Sequence, residues 1–196
     1  VKKLVIASNN PGKLREFQHM LAPLGIEVLT QAQMGISEAE EPHVTFIENA
    51  LAKARHVSRE SGLPALADDS GICVTALNGM PGVISARFAG DNPKSDQANN
   101  QKLLADMQGV TDRSAHYYCV LVLVNSAGDP QPIIAEGEWH GEIAKAERGE
   151  GGFGYDPLFW LPELGKMSSE LSRDEKHAIS HRGKAMKVLM ARLKVA

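Results

Sequence analysis

The stretch Leu63-Pro64-Ala65-Leu66-Ala67-Asp68-Asp69-Ser70-Gly71-Ile72-Cys73-Val74 decides how the rest of the chain is read. Its first part is apolar and of strand length, and its last three residues are apolar and β-prone. Between them, Asp68 and Asp69 place two adjacent carboxylates where a buried strand surfaces. In open α/β sheets the ends of strands are where ligands bind. A carboxylate pair at such a point can hold Mg²⁺ through oxygen ligands or orient a water. The same Asp-Asp-Ser-Gly run is also made of turn formers. The flanking chain is what weighs one reading against the other.

Upstream, Lys3-Leu4-Val5-Ile6-Ala7 reads as a buried first strand. The loop Ser8-Asn9-Asn10-Pro11-Gly12-Lys13 follows, and a helix starts near Lys13 with Leu14, Phe17, Leu21 and Leu24 on one face. A strand, a polar glycine-containing loop and a helix N-terminus form an arrangement that binds phosphate, and equally an ordinary β-α turn with a surface lysine. Ser8 and Asn10 supply side-chain hydrogen bonds there, and Lys13 supplies charge. The loop is not a Walker A motif, because Ala7 stands at its first glycine and Leu14 follows the lysine. Residues 26–29 make a second strand beside the first. The run Ser37-Glu38-Ala39-Glu40-Glu41-Pro42 is an acidic loop. Thr45-Phe46-Ile47-Glu48 is a capping box that opens a helix. Ile47, Ala50, Leu51, Ala54 and Val57 form its apolar stripe, with Asn49 and Lys53 on a different face.

Downstream, Asn78-Gly79 and Met80-Pro81-Gly82 are consecutive turns. A helix is predicted over residues 96–107, with Leu103 and Leu104 inward. Residues 116–124 form a central strand, residues 125–130 a hairpin-type loop, and residues 133–143 a strand with Glu136, Glu138 and His140 interleaved. This meander predicts a mixed sheet. In Gly149-Glu150-Gly151-Gly152-Phe153-Gly154-Tyr155-Asp156-Pro157, glycines surround two aromatics and an Asp. Glycines let a backbone approach a ligand closely, and an aromatic held among them can stack on a flat base or, equally, anchor a flexible loop in the core. Ser172-Arg173-Asp174-Glu175 is a second capping box. Ser180 caps the last helix, whose apolar stripe is Met186, Leu189, Met190 and Leu193. His181 and Arg182 therefore open that helix, where Arg opposes the helix dipole. A locally unfavourable choice often marks function, although a lone helix-start Arg is more often structural.

At 196 residues, with 43% hydrophobic and 23% charged, the chain is globular: one large domain or two lobes sharing a core. A net charge of -3 with dispersed Lys and Arg argues against a nucleic-acid-coating surface. The two cysteines, Cys73 and Cys119, lie in apolar runs and read as reduced, packed thiols. The longest apolar run is too short to span a bilayer, and the N-terminal segment lacks a signal-peptide core. The expectation is a soluble cytoplasmic protein.

Together these stretches resemble the Ham1 family of inosine/xanthosine triphosphate pyrophosphatases. The matching residues are Ser8 to Lys13, then Phe46-Ile47-Glu48-Asn49-Ala50 with Lys53, then Ala67-Asp68-Asp69-Ser70-Gly71. Pro81-Gly82 with Ser85-Ala86-Arg87, Gly152-Phe153-Gly154-Tyr155-Asp156-Pro157 and Ser180-His181-Arg182-Gly183 follow in the family's order. The resemblance implies a single α/β domain over residues 1–196, elongated and two-lobed around a long mixed sheet. It implies a nucleotide cleft between the lobes, a Mg²⁺-dependent homodimer, and hydrolysis of ITP, dITP or XTP to monophosphate and pyrophosphate. By resemblance Asp69 is the general base. Glu41 is favoured over Glu40 beside Asp69 and Asp68 for the metal. Ser8, Asn9, Asn10, Pro11, Gly12, Lys13, Lys53 and Ser70 hold the phosphates, Asn9 without an individual role. Phe153 stacks on the purine, and Gly154, Tyr155, Asp156, Lys176, His181 and Arg182 frame its edge. Rival readings are a Maf-like pyrophosphatase acting on other nucleotides and a non-catalytic nucleotide sensor.

Overall fold

β1 (Lys3–Ile6), α1 (Pro11–Leu21) and β2 (Glu27–Thr30) open the chain, with β1 and β2 parallel. Parallel neighbours need a crossover, and α1 supplies it. After α2 (Phe46–Ser61), β3 (Ala65–Val74) pairs in parallel on the other flank of β1, with Val5 opposite Ala65 and Ile6 opposite Leu66. β1 therefore lies between β2 and β3, the chain crossing to one flank of it and then to the other. The C-terminal end of such a strand is the switch point at which α/β sheets bind ligands. The computed structural model describes residues 2–195.

β4 (Ser114–Val124), β5 (Ile133–Ile143), β6 (Phe159–Leu161) and β7 (Lys166–Met167) complete a seven-stranded open sheet of order β2-β1-β3-β4-β5-β6-β7. β5–β6 and β6–β7 are antiparallel, so the sheet is mixed, as the meander predicts. α3 (Asp96–Asp106), α4 (Arg173–Ile179) and α5 (His181–Val195) are the remaining α-helices among the described residues. β6 and β7 are too short to show a sequence period.

The chain forms two compact units. One holds the chain up to Asp69, residues 120–136 and α5 from Ala185 onward. Its buried residues include Leu4, Ile6, Phe17, Leu21, Val57 and Leu121. The other comprises Ser70–Cys119 and Gly137–Lys184. Its core gathers Ile72, Leu103, Tyr117, Trp139, Tyr155 and Phe159 among others.

Three local expectations are corrected. β3 runs unbroken through Asp68-Asp69-Ser70-Gly71, so the acids neither end a strand nor form a turn. β1 stops at Ile6 while β3 runs on to Val74, and continuing the register sets Ser8 opposite Asp68. The acids thus flank the switch point from within a strand. Helix α1 begins at Pro11, ahead of Lys13, because Asn10 caps it. The Asn10 Oδ1 accepts from the Gly12 N–H at 2.9 Å and the Lys13 N–H at 3.2 Å, and proline suits the first helical position. Leu24 falls beyond α1 in a 3-10 turn. In α2, Ile47 is exposed and Asn49 is buried. The Asn49 amide accepts from the His43 N–H at 3.0 Å and donates to the His43 carbonyl at 3.2 Å. That bonding turns Asn49, Ala50, Ala54 and Val57 inward. The α2 cap itself forms at Thr45, whose Oγ1 accepts from the Glu48 N–H at 3.2 Å and donates to the Glu48 carboxylate at 2.5 Å.

Candidate active site

In the first unit, carboxylates and lysines converge where β3 outruns β1. Asp68 is 2% exposed. A carboxylate at that depth needs a partner, and the Lys13 Nζ lies 2.8 Å from its Oδ2. Lys13 reaches it because the Asn10 cap places Lys13 in the first turn of α1. Lys53 rises from the middle of α2 to Glu41 Oε1 at 2.5 Å and to Asp69 Oδ1 at 4.0 Å. Burial alone would push the Lys53 ammonium down. Asp68, Asp69 and Glu41, with the Glu41 hydrogen bond, outweigh that and hold it above the ordinary lysine value. Lys53 is therefore a fixed positive charge throughout the neutral range.

The acidic loop divides into distinct roles. Glu41 meets Lys53, Glu38 accepts from the Asn9 Nδ2 at 2.8 Å, and Glu40 is exposed. Of the two adjacent acids that sequence alone leaves unseparated, Glu41 is the one facing the Lys53–Asp69 group. The Ser8 Oγ accepts from the Asn10 N–H at 3.1 Å, which shapes the loop. Because the Asn10 Oδ1 already takes the Gly12 and Lys13 N–H groups, charge at this loop comes from the lysine side chains more than from the helix terminus.

In the second unit, Phe153 is 64% exposed while its neighbours turn inward. Gly152 allows this turn: its φ is +75°, and a Cβ there would collide with the Asp156 carboxylate. Two residues expected at the base edge, Tyr155 and Asp156, also hold the loop. Tyr155 is buried in the core and its hydroxyl donates to the Ser85 carbonyl at 2.6 Å. Burial, and behind it the charge of Asp96, raises that phenol far above its usual range. Asp156, also buried, accepts from the Phe153 N–H at 3.0 Å, from the Ser168 hydroxyl at 2.8 Å and from Lys176. The Tyr117 hydroxyl donates to it at 3.4 Å. Lys176, held by Asp156, places its Nζ 4.4 Å from the centre of the Phe153 ring. The ammonium covers one face of the ring, a favourable cation–π contact. Sequence reading singles out neither Tyr117 nor Ser168. Tyr117 lies on the inward side of β4, but Ser168 carries no local signal.

At the start of α5, the Ser180 Oγ accepts from the Gly183 N–H at 3.2 Å, the expected cap. A Cβ on Gly183 would lie 1.8 Å from the His177 carbonyl oxygen, so only glycine lets this turn press against the end of α4. The His181 ring stacks on Tyr117 at 4.8 Å between centroids. The Arg182 Nη2 donates to the Ser70 Oγ at 3.4 Å. His181 and Arg182 are both 8% exposed. Arg182 at a helix start is thus explained by what it reaches: a hydroxyl one residue beyond Asp69.

The Ham1 family model matches residues 4–192. The chain belongs to this family. A dITP/XTP pyrophosphatase of Ralstonia nicotianae is 62% identical over 197 residues, covering 100% of this chain and 98% of that protein. One from Neisseria meningitidis serogroup B is 57% identical, covering 98% of this chain and 96% of that protein. A HAM1 protein from Coxiella burnetii superposes with a TM-score of 0.97 at 45% identity, covering 100% of both chains. A dITP/XTP pyrophosphatase structure from Mycobacterium abscessus gives 0.81 at 38% identity, covering 97% of this chain and 99% of that one.

Among the described residues, no three His, Cys, Asp or Glu side chains gather as a metal cage, and no helix is long and apolar enough to cross a membrane. Mg²⁺ does not need such a cage. It binds one or two carboxylates together with waters and substrate phosphates. Glu41 and Asp69, both drawn to Lys53, are an oxygen-donor pair of that kind.

Proposed function

We propose that this Ham1 chain hydrolyses the deaminated purine nucleoside triphosphates dITP, ITP and XTP to monophosphate and pyrophosphate. The observation that carries the reading is the Lys13–Asp68 and Lys53–Glu41–Asp69 group beside the end of β1. Phosphoryl transfer depends on positioning and charge neutralisation. Lys13 and Lys53 supply positive charge for the triphosphate, with Ser8, Asn10 and Ser70 as hydrogen-bonding groups. Asp69 accepts the proton of the water that attacks the α-phosphorus. Glu41 and Asp69 would hold Mg²⁺, which when bound neutralises phosphate charge. The triphosphate would compete with these carboxylates for the Lys13 and Lys53 ammonium groups that now face them. The family resemblance further supports a homodimer that cleanses the cytoplasmic nucleotide pool. The retained pair of lysines beside a carboxylate base weighs against a non-catalytic sensor.

The base end follows from hydrogen-bond direction. The open face of Phe153 receives the purine. Hypoxanthine and xanthine present an O6 acceptor where adenine presents an amino donor. Donors from Arg182 and His181 aimed at O6 would find no partner on adenine, and unpaired buried donors discriminate strongly.

A comparison of kcat/KM values tests this assignment. Arg182→Ala should reduce the ITP-over-ATP ratio about 10- to 100-fold. Phe153→Ala should lower both rates by about tenfold or more and largely preserve the ratio, because stacking tolerates any base. An intact ratio in both Arg182→Ala and His181→Ala moves base readout to other groups, first the backbone of residues 153–156.

A further inference from the structure

An exposed phenyl ring on a glycine-rich loop has little packing to fix its direction. The backbone around Phe153 is fixed by other means. Its N–H donates to the Asp156 Oδ2 at 3.0 Å, the Gly154 N–H donates to the Asp96 Oδ2 at 2.9 Å, and the Asn100 Nδ2 donates to the Gly154 carbonyl at 3.0 Å. Each of these groups belongs to a different peptide plane. Asp156 and Asp96 hold the two planes that flank the Phe153 Cα, and so set its φ and ψ. Asn100 holds the next plane, beyond a Gly154 whose φ of +59° suits glycine alone.

Asp96 and Asn100 are four residues apart on α3, which places them on one helix face. Asp96 is exposed in the first turn, anchored by the Ser95 cap, whose Oγ accepts from the Ala98 N–H at 3.2 Å. Asn100 is 3% exposed, and its Oδ1 is buried without a hydrogen-bond partner among the described residues. An unpaired buried acceptor is a cost that an apolar residue would avoid. The bond to Gly154 is what Asn100 gives in return. Neighbouring Asn99 faces the other way, donating to the Ala86 carbonyl and accepting from the Ala89 N–H, so α3 itself is held independently of the Phe153 loop.

We infer that Asp96 and Asn100 are positioning residues for the purine: through the Gly154 peptide groups they hold the Phe153 ring in its stacking orientation before the substrate arrives. The inference rests on the reading that Phe153 stacks on the base. A preorganised aromatic loses less freedom on binding, so the clamp acts on affinity. None of the clamp's hydrogen bonds involves Asp69, Lys53 or Glu41, so kcat is largely untouched.

The test is a double-mutant cycle on the full chain. Asp96→Ala and Asn100→Ala should each raise KM for ITP about tenfold, with kcat changed by less than about twofold. In a Phe153→Ala background the same substitutions should change KM by less than about twofold, because the ring they position is gone. Asp96→Asn, which keeps an acceptor for the Gly154 N–H, should restore most of the affinity. A merely structural staple would lower Tm without this coupling. If Asn100→Ala does not fold, the exposed Asp96 carries the cycle alone. Undiminished KM effects in the Phe153→Ala background overturn the inference, as do unchanged KM values in both folded single variants. A Phe153→Ala enzyme with the parent KM overturns the stacking reading itself, and the clamp with it.

Discussion

Asp69→Asn should lower ITP turnover by about 10²–10⁴-fold and leave nucleotide binding measurable. The substitution nearly conserves shape and keeps an oxygen, yet removes the carboxylate that takes the proton from water. Asp69 lies mid-strand in β3, so its backbone is fixed by the sheet and the variant should keep its fold. Lys53, 4.0 Å away, retains Glu41 as its closer partner. The loss should therefore appear in kcat, with Tm close to that of the parent. Isothermal titration with a non-hydrolysable triphosphate reports binding, and single-turnover kinetics report chemistry. Turnover within a few-fold of the parent removes Asp69 from the role of base.

The second large effect is expected at Lys53. Lys53→Met should reduce turnover by about 10²–10³-fold, the scale on which a positioned charge stabilises a transition state. It should also change how stability depends on pH. In the parent, the Lys53 ammonium is held above its ordinary value by Asp68, Asp69 and Glu41 against the opposing effect of burial. A raised lysine contributes its full stability below the unfolded value and loses it only as pH climbs through the folded one, in the strongly alkaline range. Removing the cation removes that contribution. The parent should therefore be more stable than the variant by a constant margin at neutral pH, and the margin should shrink as pH climbs through the strongly alkaline range. Lys53→Arg keeps the charge and should remove that pH signature. Urea unfolding at several pH values measures it, and parallel pH profiles for Lys53→Met and parent would contradict the arrangement.

The elements that carry charge in the site were legible because their signals are local. Strand β1 and the loop into α1 follow from spacing, and Thr45 opening α2 follows from cap chemistry; the Asn10 cap that sets the start of α1 was missed. The continuity of β3 was not legible, since Asp-Asp-Ser-Gly has turn composition. What overrides that composition is tertiary: Lys13, brought from another element, neutralises the Asp68 carboxylate and lets it be buried in a strand. The inward face of α2 was misjudged at Ile47 for a similar reason, because a single amide, Asn49, bonds to His43 and sets the helix rotation. In the glycine-rich loop, composition supplies two aromatics and an acid but no way to tell them apart. The structure assigns Phe153 outward, while Tyr155 and Asp156 bind Ser85, Ser168 and Lys176 within. The contacts of Asp96 and Asn100 with Gly154 span 58 and 54 positions, beyond the reach of any local pattern.

Hydrolysis of ITP, dITP, XTP and ATP in ¹⁸O-enriched water with Mg²⁺ tests the central claim most directly. The account predicts pyrophosphate without label, the label entirely in the nucleoside monophosphate, and ITP, dITP and XTP each consumed far faster than ATP. Label in the pyrophosphate, release of a nucleoside diphosphate, or equal turnover of ATP would contradict it.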